Sequence, residues 1–264
     1  MWLQRFFQFR EKNEQDATKP FLEHLEDLRW MLVKMGLTLG ATMMISFGFR
    51  HGLVHLIQRP LRIVDPKLVA ALRTLGVTDS LTISIQLSFY AGIVLSFPLL
   101  LYFLGEFVLP ALTRQEKKYV WPAIGVGFAL FLCGVLFSYL VVLPETLAFF
   151  FHDAQSLEWT PMWTVREYFS FVTQITLAFG LAFELPVAVL LLVHLGFLSF
   201  DFLKRTRSYA IVLILCLATV IAPTPDVLTF MALGGPMVLL YEACIWLAWL
   251  MERRRKIKTP QLPA

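Results

Sequence analysis

Charge is scarce in this sequence. Asp, Glu, Lys and Arg make up 16% of its 264 residues, where a soluble domain carries about a quarter. With 58% hydrophobic residues and a mean hydropathy of +0.67, that deficit places the chain in the membrane class. Cysteine is also sparse. Cys133, Cys216 and Cys244 each sit inside an apolar run, which argues against a disulfide framework and for small packing residues. Catalytic signatures are missing: there is no HExxH, no GxSxG and no Gly-rich phosphate loop. His51 and His55 stand four apart with no Cys or acid to complete a metal site, so they read as one face of an interfacial helix. The expectation is no enzyme, no cofactor and no metal. No RNP, zinc-finger or helix-turn-helix pattern points to nucleic acid. The N-terminal "MWLQRFFQF" lacks a signal-peptide cleavage site and reads as either a short helix on the membrane surface or a frayed tail.

What the chain does have is apolar runs. About 20 apolar residues cross a bilayer as a helix, and six segments qualify or nearly so: 31–49, 81–104, 119–143, 168–198, 208–222 and 227–251. The expected architecture is an all-α membrane protein with six transmembrane helices, spans five and six short. Residues 1–30 form a cytoplasmic N-terminal segment with a short helix, 31–251 the membrane domain, and 252–264 a basic cytoplasmic tail. No internal repeat supports an inverted-repeat transporter. Interior prolines at 98, 186 and 236 bend helices, and Pro122 suits a helix start, so the spans are expected to form a curved, concave wall. Of the 23 Lys and Arg, 17 lie in the segments on the side of the N-terminus, which puts both termini in the cytoplasm. The fifth span reaches only about 22 Å and ends in "APTPD". Asp226 there marks either a thinned, hydrated region or simply the outer surface.

Polar residues inside the spans are few. Glu184, in "AFGLAFELPVAVLLL", costs at least about 2.5 kcal/mol to insert as a charge. It is either a neutral acid bonded to a neighbouring helix or a functional site facing a cavity or partner, with Gln174 contributing to the same face. Glu242 reads as a packing contact with another helix. Gln86, Ser84 and Ser88 read as a solvated outer interface.

The densest charge lies in "FLEHLEDLRW", residues 21–30, just before the first span. Acids early in a helix are favoured by its dipole, which explains acids in general but not their number on the side that basic residues prefer. The loop "EFVLPALTRQEKKYVW" adds Glu106 and Glu116 on the same side. Carboxylates at a membrane surface hold arginines through paired, charge-assisted hydrogen bonds and discriminate against lysine.

Four motifs in order, "HLEDLR" (24–29), "FVLPALTRQE" (107–116), "FELPV" (183–187) and "PTPDV" (223–227), resemble those of the TatC family. This is the multi-span subunit of the twin-arginine protein translocase, and the resemblance covers about residues 21–251. It implies a receptor for signal peptides with two consecutive arginines, on folded cargo that crosses a bacterial cytoplasmic membrane under the protonmotive force. It also implies TatA-type and TatB-type single-span partners, self-association in a complex, and contact with membrane lipids. By motif position, the resemblance assigns arginine recognition to Asp27 and Glu116, places Phe107 and Pro110 in the same patch, and gives Arg29 an orienting or anchoring role. It matches Glu184 to an acid of the concave membrane face and Asp226 to the acid after the fifth span. This chain has Asp27 where the family's first motif usually has Glu, one methylene shorter, which leaves Glu23 or Glu26 to assist. Glu106 is an added acid to which the resemblance gives no role. Two other readings stand beside the receptor: a proton-coupled small-solute transporter using Glu184, and a structural assembly hub.

Overall fold

The computed structural model describes residues 21–196, 198–221 and 227–258, without the side chains of 21–23, 111, 114–116, 220, 221, 228, 229, 251 and 254–258. Among these residues the regular structure is helical, with one isolated bridge between Arg73 and Thr164. Helix α1 (Phe21–Gly48) runs without a break from the acidic stretch through the first apolar run. Its 28 residues reach about 42 Å, which exceeds the roughly 30 Å of hydrocarbon, so its first turns project beyond the membrane. Residues 21–30, expected in a segment separate from the membrane domain, are continuous with the first span; the expectation for "MWLQRFFQF" lies outside the described residues.

After a turn at Phe49 comes α2 (Arg50–Val64), then a single short helix, α3 (Pro66–Ala71). In α2 Leu53, Val54, Ile57, Leu61 and Val64 share one face, and His51, His55, Arg59 and Arg62 share the other, as an interfacial helix requires. Pro60 lies inside α2 and has no N–H to offer the Leu56 carbonyl. The Tyr139 hydroxyl donates to that carbonyl instead, at 2.7 Å, and Tyr168 donates to the next one, Ile57, at 2.6 Å. Two spans thereby hold this helix against the bundle.

The second span, α4 (Asp79–Val108), lies antiparallel along α1. Gly92 lets the backbones meet: a Cβ there would stand 3.0 Å from the Met43 nitrogen. Thr42 Oγ1 donates across the contact to the Gly92 carbonyl at 3.0 Å. A 3-10 turn (Leu109–Ala111) leads to the third span, α5 (Arg114–Phe137), which continues through a π-helical turn (Ser138–Val142) into α6 (Leu143–Ser156). Pro144 explains the wide turn. It cannot donate to Leu140, and the ladder is re-routed so that the Leu143 N–H reaches Ser138.

The fourth span is broken. α7 (Val165–Ala182) starts on a capping box between Thr164 and Glu167, and α8 (Leu185–His194) follows after Phe183 and Glu184. Pro186 leaves the Ala182 carbonyl without its helical donor, and the chain tightens through a Glu184 N–H bond to Leu181 at 3.1 Å. Spans three and four meet over glycines. A Cβ at Gly134 would lie 2.6 Å from the Phe179 oxygen, and one at Gly180 would lie 2.7 Å from the Phe131 ring. Small residues at such crossings are the rule where lipid supplies no hydrophobic drive between helices. Phe131 also stacks on Phe97, which ties in the second span.

A short helix, α9 (Phe200–Arg205), precedes the fifth span, α10 (Arg207–Ile221), whose 15 residues reach about 22 Å as expected. The sixth span was expected to be short and is not. α11 (Val227–Lys258) has 32 residues, with an apolar stretch at Phe230–Leu250. Pro236 does not end it, and the basic tail continues the helix to Lys258, because Arg and Lys are good helix formers and suit its C-terminal dipole. Arg207 Nε lies 2.6 Å from Glu242 Oε1, so Glu242 is the interhelical contact its position suggested. Among the described residues, five helices are long and apolar enough to cross a membrane, and no more than 33% of any of their apolar windows is buried. Their outward side chains, Leu37, Met44, Leu239 and Trp246 among them, are exposed, which suits lipid and not water.

Candidate functional site

Two helices build the cleft at the N-terminal side of the first span. α1 presents Asp27, Trp30, Met31 and Lys34, and α4 presents Phe103, Glu106 and Phe107, followed by Pro110 of the 3-10 turn; together they line about 210 Å³. On both walls the spacing is i, i+3, i+4, i+7, one stripe of an α-helix. The antiparallel pairing turns the two stripes toward each other. His24, one turn before Asp27, stacks on Phe107 with ring centres 4.5 Å apart, which fixes the rim. Lys34 Nζ lies 3.2 Å from Glu106 Oε2 and 5.9 Å from the Phe103 ring centre. An exposed pair of this kind contributes about 0–1 kcal/mol.

The structure thus brings Asp27, Phe107 and Pro110 into one cleft. Asp27 is half-buried, while Arg29 is exposed on α1 and is not among the lining residues. Glu116 is in the first turn of α5, and its side chain lies outside the described residues. Asp226 also lies outside them. Four lining residues were not singled out from sequence as a site: Trp30, Met31, Lys34 and Phe103. The signal that finds them is helical periodicity read outward from Asp27 and Phe107 once the two helices are paired.

Glu184 occupies the break in the fourth span, at the N-terminus of α8, where the helix dipole favours a carboxylate. Its carboxylate fills the space that Gly127 of the third span leaves: a Cβ on Gly127 would lie 2.9 Å from Oε2. Its Oε1 is buried and has no hydrogen-bond partner among the described residues. Gln174 lies ten residues earlier, about 15 Å along the axis, and no hydrogen bond joins the two among the described residues. Gln86 is not at a solvated interface. It donates to Ser170 Oγ at 3.1 Å and to Thr173 Oγ1 at 3.5 Å, and so links the second and fourth spans. Ser84 and Ser88 bond to carbonyls of their own helix one turn back. No group of three His, Cys, Asp or Glu that could hold a metal occurs among the described residues.

Known proteins share this sequence pattern and fold. The family described as Sec-independent protein translocase protein (TatC) matches residues 23–236. A Sec-independent protein translocase protein TatC of Akkermansia muciniphila is 50% identical over 181 residues, covering 69% of this chain and 52% of that protein, so the match spans about half of that relative's length. One of Listeria innocua is 34% identical over 88% of this chain and 92% of its own. A crystal structure of the twin arginine translocase receptor TatC superimposes with a TM-score of 0.78 at 33% identity, covering 86% of this chain and 98% of that one. With one family spanning most of the sequence and a solved relative sharing its helical frame, the chain belongs to the TatC family, multi-span membrane components of the Sec-independent protein translocase.

Proposed function

We propose that this chain is the signal-peptide receptor of a twin-arginine translocase, and that the cleft between α1 and α4 takes the paired arginines. The observation that carries this is the convergence of Asp27 with Phe107 and Pro110 in one cleft. That cleft is on the side of the membrane where most Lys and Arg of the connections lie, the cytoplasmic side by the positive-inside rule. Asp27 offers a carboxylate that a guanidinium pairs with in the two-pronged manner open to arginine but not to lysine. Trp30, Phe103 and Phe107 offer aromatic faces for the same cation. Glu116 supplies the second carboxylate from the start of the third span. Arg29 anchors or orients the N-terminal turns and does not itself bind the peptide arginines.

The setting is a bacterial cytoplasmic membrane, with both termini in the cytoplasm and the protonmotive force driving folded cargo across. Glu184, with one carboxylate oxygen without a hydrogen-bond partner among the described residues, is the site for a polar residue of a single-span TatA-type or TatB-type subunit. A lone unsatisfied oxygen at that depth is costly, and a partner's donor removes the cost. Asp226 and Gln174 belong to the same polar provision of the membrane face. Self-association completes the complex. Membership of the TatC family favours this reading over solute transport through Glu184.

The test is binding of a synthetic twin-arginine signal peptide to the full chain in lipid nanodiscs. Asp27→Ala with Glu116→Ala is expected to lower affinity at least about ten-fold, the size of one lost charged hydrogen bond. Replacing both peptide arginines by lysine is expected to weaken binding although the charge is kept. Unchanged affinity in the double variant would sink the assignment.

A further inference from the structure

Glu106 is the acid to which the family resemblance gives no role, yet it stands on the wall of the cleft that holds Asp27. Its Oε2 receives the Lys34 ammonium at 3.2 Å. The same ammonium lies 5.9 Å from the centre of the Phe103 ring. A cation set between a carboxylate and an aromatic face is the environment in which a protein binds a guanidinium. Here a cation of the chain itself occupies it.

From this we infer that Glu106 is a further arginine-binding carboxylate of the cleft, and that Lys34 is an internal stand-in for the peptide cation, displaced when the peptide binds. The inference rests on reading the cleft as the arginine site.

Three features make the exchange physically easy. The Lys34 and Glu106 side chains keep 47% and 50% of their exposure, so water and ions already compete with the pair. Lysine brings a compact, strongly hydrated point charge, while arginine brings a planar fork with a weaker hydration shell that pairs with both oxygens of a carboxylate and stacks on a ring. Exchange of Lys34 for arginine on Glu106 therefore gains geometry without changing the number of charges in contact. Lys34 also sits on an exposed stretch of α1, so its flexible stem swings away without moving backbone.

The arrangement also answers the shortened first motif. Asp27 reaches one methylene less far than glutamate from its wall, and Glu106 reaches in from the facing helix. Two carboxylates on opposite walls suit two adjacent arginines, whose side chains diverge. While Lys34 is in place the cleft presents less net negative charge, so a peptide with isolated lysines gains little by entering it. A twin-arginine peptide gains the second contact as Lys34 leaves.

The experiment is a double-mutant cycle read as peptide affinity. The full chain in nanodiscs of fixed lipid composition is titrated with a fluorescent twin-arginine peptide, and anisotropy gives Kd. Glu106→Gln keeps shape and removes charge, and is expected to weaken binding about ten-fold. Lys34→Met keeps the stem and removes the competing cation, and is expected to tighten binding a few-fold. In the Glu106→Gln background Lys34→Met is expected to change nothing, since no carboxylate is left to be released. Unchanged thermal unfolding of each variant shows that the fold is kept. An equal gain from Lys34→Met with and without Glu106 would mean plain charge repulsion and would overturn the inference. If Glu106→Gln binds like the parent while Asp27→Asn loses binding, the inference fails and the receptor reading stands. If Asp27→Asn with Glu116→Gln binds like the parent, the receptor reading itself fails.

Discussion

Single glycines decide how closely spans three and four pack. Gly134 has the Phe179 carbonyl oxygen 2.6 Å from where a Cβ would be, whereas Gly125, on the same helix, has nothing within 4 Å. Gly134→Ala is therefore expected to destabilise the protein by about 1–3 kcal/mol through forced backbone movement. Gly125→Ala is expected to be neutral or slightly stabilising, because Ala is the better helix former by about 1 kcal/mol. Thermal unfolding of both variants in the same detergent checks the pair, and equal midpoints would contradict the packing described. Glu184 is a different residue-scale case. Glu184→Gln keeps the shape against Gly127 and is expected to leave peptide binding at the proposed cleft site unchanged, while co-purification of single-span partner subunits is expected to fall. Loss of peptide binding as well would argue against two separate sites.

At the scale of elements, α2 is held by a bond that a proline made available. Tyr139 donates to the Leu56 carbonyl that Pro60 cannot serve. Tyr139→Phe is expected to cost about 0.5–1.5 kcal/mol and to speed amide exchange in α2. Adding Pro60→Ala restores a backbone donor for Leu56, so the loss from Tyr139→Phe should shrink in that background; independent effects would refute the linkage. Much at this scale was legible in the sequence. The short fifth span followed from 15 apolar residues closed by two prolines, and the bend in the fourth followed from Pro186. The sixth span was misjudged because its basic end looked like a tail, although Arg and Lys continue a helix well. Gln86 was misjudged because its partners, Ser170 and Thr173, lie more than 80 residues away, and no local pattern reports such a pairing. Asp27, Phe107 and Pro110 were legible as motif residues. Lys34 was not, since its role depends on the antiparallel register of α1 with α4.

For the whole molecule, the five long apolar helices among the described residues and the shorter α10 keep broad exposed apolar faces. Only 11% of the first span's apolar window is buried, which leaves room for lipid and for partner subunits. The topology predicts which side each connection faces. A single cysteine at Trp159 or Val77, in a background without Cys133, Cys216 and Cys244, is expected to react with an impermeant maleimide from outside the cell. One at Lys204 is expected to react only after the membrane is opened. The central claim is that the cleft between the first two spans is where the paired arginines bind. The most direct measurement places a photoreactive residue beside the two arginines of a signal peptide and maps the adducts by mass spectrometry. The account predicts adducts at Trp30, Phe103 and Phe107 that diminish in Asp27→Asn with Glu116→Gln. Adducts confined to other surfaces, or undiminished in that variant, would contradict it.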